Sequence, residues 1–115
     1  MLRGEIRLVD LGQGVPGEQT KVRPAVIVSN DGANTTAARL GSGVVTVAPL
    51  TSNITRVYPF QVLVSAQESG LDRASKVQAE QIRAVSVHRV LAKVGVIPRS
   101  LMLEVDEALR LHLAL

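Results

Sequence analysis

Three polar groups punctuate an otherwise apolar chain: Glu18-Gln19 shortly before Arg23, the triplet Thr51-Ser52-Asn53, and Glu80-Gln81 followed by Arg83. A carboxylate can accept a proton from a hydroxyl, an arginine fork fits two phosphate oxygens, and a threonine hydroxyl adds one more donor. Such a set has what metal-free cleavage of a ribose phosphodiester demands. The 2′-OH must lose a proton, the phosphorane must be neutralised, and the departing 5′-oxygen must gain a proton. Arginine, with a pKa above ~12, is a poor proton donor, yet a guanidinium aimed at developing charge lowers the barrier by several kcal/mol. Without a histidine, a site of this kind works mainly by holding the strand in line. The same residues also have plainer uses. Arg23 can pair with a neighbour such as Glu18, Thr51 can cap a turn, and Glu80 with Arg83 can decorate a solvated strand face. By themselves they support a small basic β-barrel that binds RNA or protein.

The elements that must carry these residues are short. A strand is expected over "EIRLVDLG" (5–12), then a polar loop, "GQGVPGEQTKV" (12–22), with three glycines and a proline. "PAVIVSN" (24–30) is an apolar run bounded by turn residues and predicts a central strand entered through Arg23. "DGANTTAARLGSG" (31–43) is expected to be loop with at most one helical turn. Further strands are expected at 44–52, 60–66 and 90–97. Another, at 75–86, carries a phase change near Gln81 that suggests a bulge. From Pro98 the apolar period changes: Leu101, Met102, Val105, Ala108, Leu109, His112 and Leu113 share one helical stripe, in which His112 is expected to be packed. The fold class is therefore α+β, a small, strongly bent barrel of five to seven strands with a C-terminal amphipathic helix. Residues 1–115 form a single domain.

Composition narrows the function. The chain has no cysteine, which removes disulfides and cysteine zinc sites, and His88 and His112 are too far apart for a local metal motif. No apolar run approaches the ~20 residues that span a bilayer, and the N-terminus is charged at once, so a cytoplasmic protein is expected. "GQGVPG" is not a nucleotide loop, because no helix follows it and no lysine-serine pair closes it. Residues 1–97 hold 11 of the 13 basic and 7 of the 10 acidic residues, a net +4, while 98–115 are net −1. The body is cationic enough to attract a polyanion. With Tyr58 and Phe60 the sole aromatics, recognition of a nucleic acid would rest on hydrogen bonds more than on stacking.

Taken together, "RGEIRLVDL" (3–11), "GEQTKVRPAVIVSND" (17–31), "VAPLTSN" (47–53), "AEQIRAV" (79–85) and "EVDEALRLHLAL" (104–115) resemble, in order and spacing, the MazF/PemK toxins, with actinobacterial MazF proteins the most similar. The resemblance implies an SH3-like (CcdB/MazF-type) barrel and a homodimer. The implied activity is that of an mRNA interferase: a sequence-specific endoribonuclease that needs neither metal nor cofactor and leaves 2′,3′-cyclic phosphate and 5′-OH ends. It also implies a cognate antitoxin as partner. Carried over by position, the catalytic residues are Arg23 and Thr51, with Glu18 and Glu80 as candidate bases. Gln19, Lys21, Asn30, Ser52, Asn53 and Arg83 are the RNA-binding set.

Two residues depart from the family pattern. Arg7 stands where relatives usually have an aromatic, and Gln78 stands where some have an arginine. The first motivates a rival expectation, a degenerate barrel that only binds antitoxin. A second rival is a CcdB-like poison of DNA gyrase. Leu103, Leu111 and Leu115, off the main helical stripe, predict a second apolar contact and hence a dimer.

Overall fold

The structure, a computed structural model, describes residues 1–12 and 21–115. Seven strands form one antiparallel sheet: β1 (Glu5–Asp10), β2 (Val22–Ile27), β3 (Val44–Thr51), β4 (Gln61–Val64), β5 (Ser75–Gln78), β6 (Arg83–Ser86) and β7 (Val90–Val96). Three helices accompany them, α1 (Asp31–Leu40), α2 (Ala66–Ser69) and α3 (Arg99–Leu113). The path through the sheet is β4-β5-β3-β2-β1-β7, with β6 also on β3. The end strands β4 and β7 do not pair with each other, so the expected barrel is an open, strongly bent sheet rather than a closed one.

β2 and β3 lie at the centre and are covered on both faces, which is why their sequences are nearly continuous apolar runs. Val26, Ala48 and Leu50 face a larger cluster with Ile6, Val62, Val77 and, from α3, Leu101, Met102, Val105 and Ala108. The alternate residues Ala25, Ile27, Val45 and Val47 face a smaller cluster closed by Ala37 of α1. The chain thus has two cores on either side of one pair of strands.

Bends come from defined irregularities. β3 pairs with β6 through Val47↔Arg83 and with β5 through Leu50↔Val77. The paired numbers sum to 130 in the first ladder and 127 in the second, so three residues are inserted between β5 and β6. They are Ala79-Glu80-Gln81, folded as a 3-10 turn, which is the phase change expected near Gln81. The β1–β7 ladder shifts register twice, on either side of Arg7. Gly95 on β7 cannot be anything larger, since a Cβ there would stand 2.2 Å from the Ser69 carbonyl oxygen of α2.

Several expectations need correction. Residues 31–40 are a full helix, not a loop with one turn. Asn30 caps it by accepting from the Ala33 N–H at 2.8 Å, and Gly41 closes it at φ 62°. Inside it, Asn34 is fully buried and donates to the Ser29 carbonyl at 2.8 Å. The strand expected over 60–66 ends at Val64, because Ser65 and Glu68 form a capping box that starts α2. β2 begins at Val22, placing Arg23 inside the strand rather than before it. His112 is exposed, as is Leu113, because the packed face of α3 ends at Leu109. His88 lies in a short 3-10 turn and is exposed. Among the described residues, no helix is long and apolar enough to cross a membrane.

Candidate functional site

The site begins where the β2–β3 ladder stops. That ladder pairs Ile27↔Val47, Val26↔Ala48 and Ala25↔Pro49. Two further residues along the same register would bring Arg23 opposite Thr51. The ladder does not extend that far. Pro24 and Pro49 lack the N–H groups that would continue it, β2 carries on with β1 (Arg23↔Val9), and the end of β3 turns to β5 (Thr51↔Lys76). Two central strands part at their ends, and the gap is a cleft of about 440 Å3 lined by Arg23, Pro24, Thr51, Ser52, Asn53, Asp72, Arg73 and Ser75, with Leu50 and Leu71 at its floor. Arg23 and Thr51 therefore line the same cleft.

A second cleft of about 370 Å3 adjoins the first and shares Arg23 with it; Lys21, Pro49, Gln78, Gln81 and Arg83 form its walls, with Leu11 and Gly12. Lys21, Arg23, Arg73 and Arg83 face Asp72 alone among the acidic residues of the two linings. A site with this charge balance suits an extended anion.

The arginines differ in how they are held. Among the described residues the Arg23 side chain makes no hydrogen bond and no ion pair, so none of them holds its guanidinium. Arg83 donates to the Leu11 carbonyl at 3.2 Å, beside the backbone bonds that join Leu11 and Gly12 to Lys21. Thr51 is half-buried, and its hydroxyl oxygen accepts from the Asn53 N–H at 3.2 Å. It therefore caps a turn while facing the cleft, so the plain reading and the chemical one describe the same residue. Asn53 accepts in turn from the Thr55 N–H at 3.4 Å.

Other sequence-selected residues fall elsewhere. Glu18 and Gln19 lie outside the described residues. Asn30 is the cap of α1 and lines neither cleft. Glu80 also lines neither: its Oε2 accepts from the Gln61 side chain at 2.7 Å, and its Oε1 is enclosed without a partner. Arg7 is tied down, donating to Glu5 Oε1 at 2.8 and 3.0 Å and to the Leu91 carbonyl at 3.1 Å. Burial pushes the Glu5 carboxyl up, but the hydrogen bond and charge of Arg7, helped by the N-terminal ammonium and Lys93, outweigh burial and hold it below its ordinary value. Arg7 thus completes an ion pair and does not obstruct either cleft. Asp72, Arg73 and Gln78 are lining residues outside the set that the sequence selects for the site, and Gln81, named there beside Glu80, lines the second cleft. Asp72-Arg73 sits in a loop between α2 and β5 with no pattern to mark it, whereas Gln78 and Gln81 flank the selected Glu80.

Comparison with known proteins gives the family. Residues 2–113 match the family model described as PemK-like, MazF-like toxin of type II toxin-antitoxin system. The chain is 54% identical over 115 residues to Endoribonuclease MazF9 of Mycobacterium tuberculosis, covering all of this chain and 98% of that protein. It is 34% identical over 114 residues to Endoribonuclease EndoA of Bacillus subtilis, covering 98% and 94%. Among solved structures, an endoribonuclease in complex with its cognate antitoxin from a mycobacterial species superposes with a TM-score of 0.78 at 25% identity, over all of this chain and 96% of that one. MazF from Deinococcus radiodurans gives 0.77 at 22% identity, over 100% and 97%. The chain belongs to the PemK-like, MazF-like family of toxins of type II toxin-antitoxin systems.

Proposed function

We propose that the protein is a sequence-specific endoribonuclease that cuts single-stranded RNA in the Arg23–Thr51 cleft. The observation that carries this reading is that Arg23, with no side-chain partner among the described residues, and the Thr51 hydroxyl line one cleft where two central strands part. The names of the relatives support it, since two that align over nearly their full length are named endoribonucleases. The scissile phosphate sits against Arg23, whose fork takes two of its oxygens and stabilises the charge that grows on them. Thr51 donates its hydroxyl to the same group. The ribose 2′-oxygen attacks phosphorus, a carboxylate takes its proton, and the P–O5′ bond breaks. The departing oxygen takes a proton from solvent, leaving a 2′,3′-cyclic phosphate and a 5′-hydroxyl. Asp72 is the described carboxylate in the cleft that can take the 2′-OH proton. Glu18, which the sequence favours for that role, lies outside the described residues.

Because Arg23 belongs to both clefts, the strand continues from the first into the second. There Lys21 and Arg83 face phosphates, and Gln78 and Gln81 offer paired donors and acceptors to base edges. Ser52 and Asn53 do the same on the other side, and no metal is required for any step. The cognate antitoxin, as partner, covers the same clefts. A homodimer forms through α3 and the residue pair after it, where Leu103, Leu111 and Leu115 are 59, 58 and 84% exposed. The setting is the cytoplasm, where mRNA is the available substrate.

Purified protein incubated with a long transcript in EDTA tests the reading. Discrete cuts at one short sequence, with cyclic-phosphate and 5′-hydroxyl ends, are expected. An intact transcript defeats it.

A further inference from the structure

The stretch from Ser52 to Phe60 has no strand or helix and is solvent-exposed as far as Pro59. Yet it begins with the cleft residues Ser52 and Asn53 and must hold them beside Thr51. Two buried polar side chains reach up to it from the sheet. Lys76 is only 8% exposed, and its ammonium donates to the Arg56 carbonyl at 2.6 Å and lies 5.8 Å from the centroid of the Tyr58 ring. No carboxylate pairs with it among the described residues. A buried lysine is ordinarily paired with a carboxylate, so one committed to a single loop carbonyl and a ring is spent on the loop itself. Gln61, also 8% exposed, is the second. Its Oε1 accepts from the Tyr58 N–H at 3.1 Å, while its Nε2 donates to Glu80 at 2.7 Å. Tyr58 completes the arrangement by stacking on Phe60, with ring centroids 5.3 Å apart and planes within 4°.

Both anchors spring from the segment that ends the cleft. Lys76 is the register partner of Thr51, and Glu80 belongs to the turn inserted between β5 and β6. We propose that Lys76 and the Gln61–Glu80 pair are positioning residues that pin residues 52–60 to the sheet and thereby set Ser52, Asn53 and Thr51 against Arg23, an inference that rests on reading that cleft as the RNA site. Glu80 then acts as a hydrogen-bond acceptor, not as a base. This also explains why a carboxylate placed so close in sequence to the second cleft lines neither.

Hydrogen exchange read by NMR on the RNA-free protein, together with single-turnover cleavage, tests the proposal. In Lys76→Met and in Glu80→Ala, the Tyr58 and Gln61 amides are expected to exchange at least about tenfold faster, with core amides unchanged. Cleavage slows by about 10- to 100-fold. Glu80→Gln keeps the acceptor, so it retains wild-type exchange and wild-type cleavage. Intrinsic fluorescence gives an independent readout, since Tyr58 is the only tyrosine and the chain has no tryptophan: quenching by acrylamide rises in both disruptive variants. Unchanged exchange in Lys76→Met overturns the proposal, and so does a loosened loop that still cuts at the wild-type rate. Loss of cleavage in Glu80→Gln with the loop intact also overturns it and makes Glu80 an acid–base residue. If Glu80→Ala does not fold, Lys76→Met decides alone. If the wild-type protein cuts no RNA, the cleft reading fails, while the exchange data still decide whether these side chains hold the loop.

Discussion

Arg3 and Arg23 show how one residue type serves opposite ends of this molecule. Arg3 is fully committed: it donates to Asp106 on α3 at 2.6 Å and to the Val28 carbonyl at 2.8 Å, while its own N–H reaches Asp31 at 2.6 Å. It ties the start of the chain to α1, β2 and α3, and a bound anion could recruit it only by breaking those bonds. Arg23 lies on a central strand, yet its guanidinium has no partner among the described residues. The difference follows from the surroundings. Near Arg3 a carboxylate of α3 and the Val28 carbonyl converge on the guanidinium, whereas at Arg23 the β2–β3 ladder has ended and a cleft opens. An arginine left uncommitted at a break between core strands is available to a ligand, and removing it should cost function without costing the fold.

That contrast can be broken outright. Arg23→Ala is expected to lower the cleavage rate by about 10²- to 10³-fold, with a melting midpoint within experimental error of wild type. A large stability loss would show that Arg23 is structural after all. Gly95→Ala belongs to the opposite class: its Cβ would meet the Ser69 carbonyl, so unfolding titrations should show a loss of about 2–3 kcal/mol, while the cleavage rate of the remaining folded protein stays near normal. Thr51→Ala should cut the rate about fivefold, since one neutral donor is worth about 1 kcal/mol. Arg3→Ala should lower stability by about 1 kcal/mol, a part-exposed charged pair being worth little more, and should leave cleavage unaltered. The smallest effect is in the acid limb. Glu5 has a depressed carboxyl pKa in the folded state, so its contribution is full above the ordinary carboxylate range and fades as pH falls through the folded value. Glu5→Gln should flatten that limb of a stability-versus-pH curve slightly.

How much of this was legible beforehand varies by element and has physical reasons. α3 announced itself by one apolar stripe, and β1 and β3 by short β-rich runs next to glycines. The α1 helix did not, because its buried face is just Asn34 and Ala37, too little for a hydrophobic stripe. Its markers were the caps Asn30 and Gly41. His112 misled because periodicity continues past the point where the body of the protein ends. Arg23 and Thr51 were legible as types and by resemblance, but their sharing a cleft depends on where a ladder terminates, and the prolines that end it are ordinary edge residues in a linear reading. Asp72 and Arg73 reach the cleft from a loop remote in sequence, so nothing local marks them. Glu80 had the right chemistry for a base; its half-buried position and its bond to Gln61 support the anchoring role proposed for it instead.

The three-residue turn between β5 and β6 has an evolutionary corollary. It is looped out of two ladders that are each in perfect register, so Gln81 can change identity without sliding any apolar side chain from one core to the other. A lineage could therefore exchange a side chain that borders the second cleft while inheriting an unaltered hydrophobic interior. Ala79, which is fully buried, lacks that freedom, and so does Glu80 where it holds Gln61.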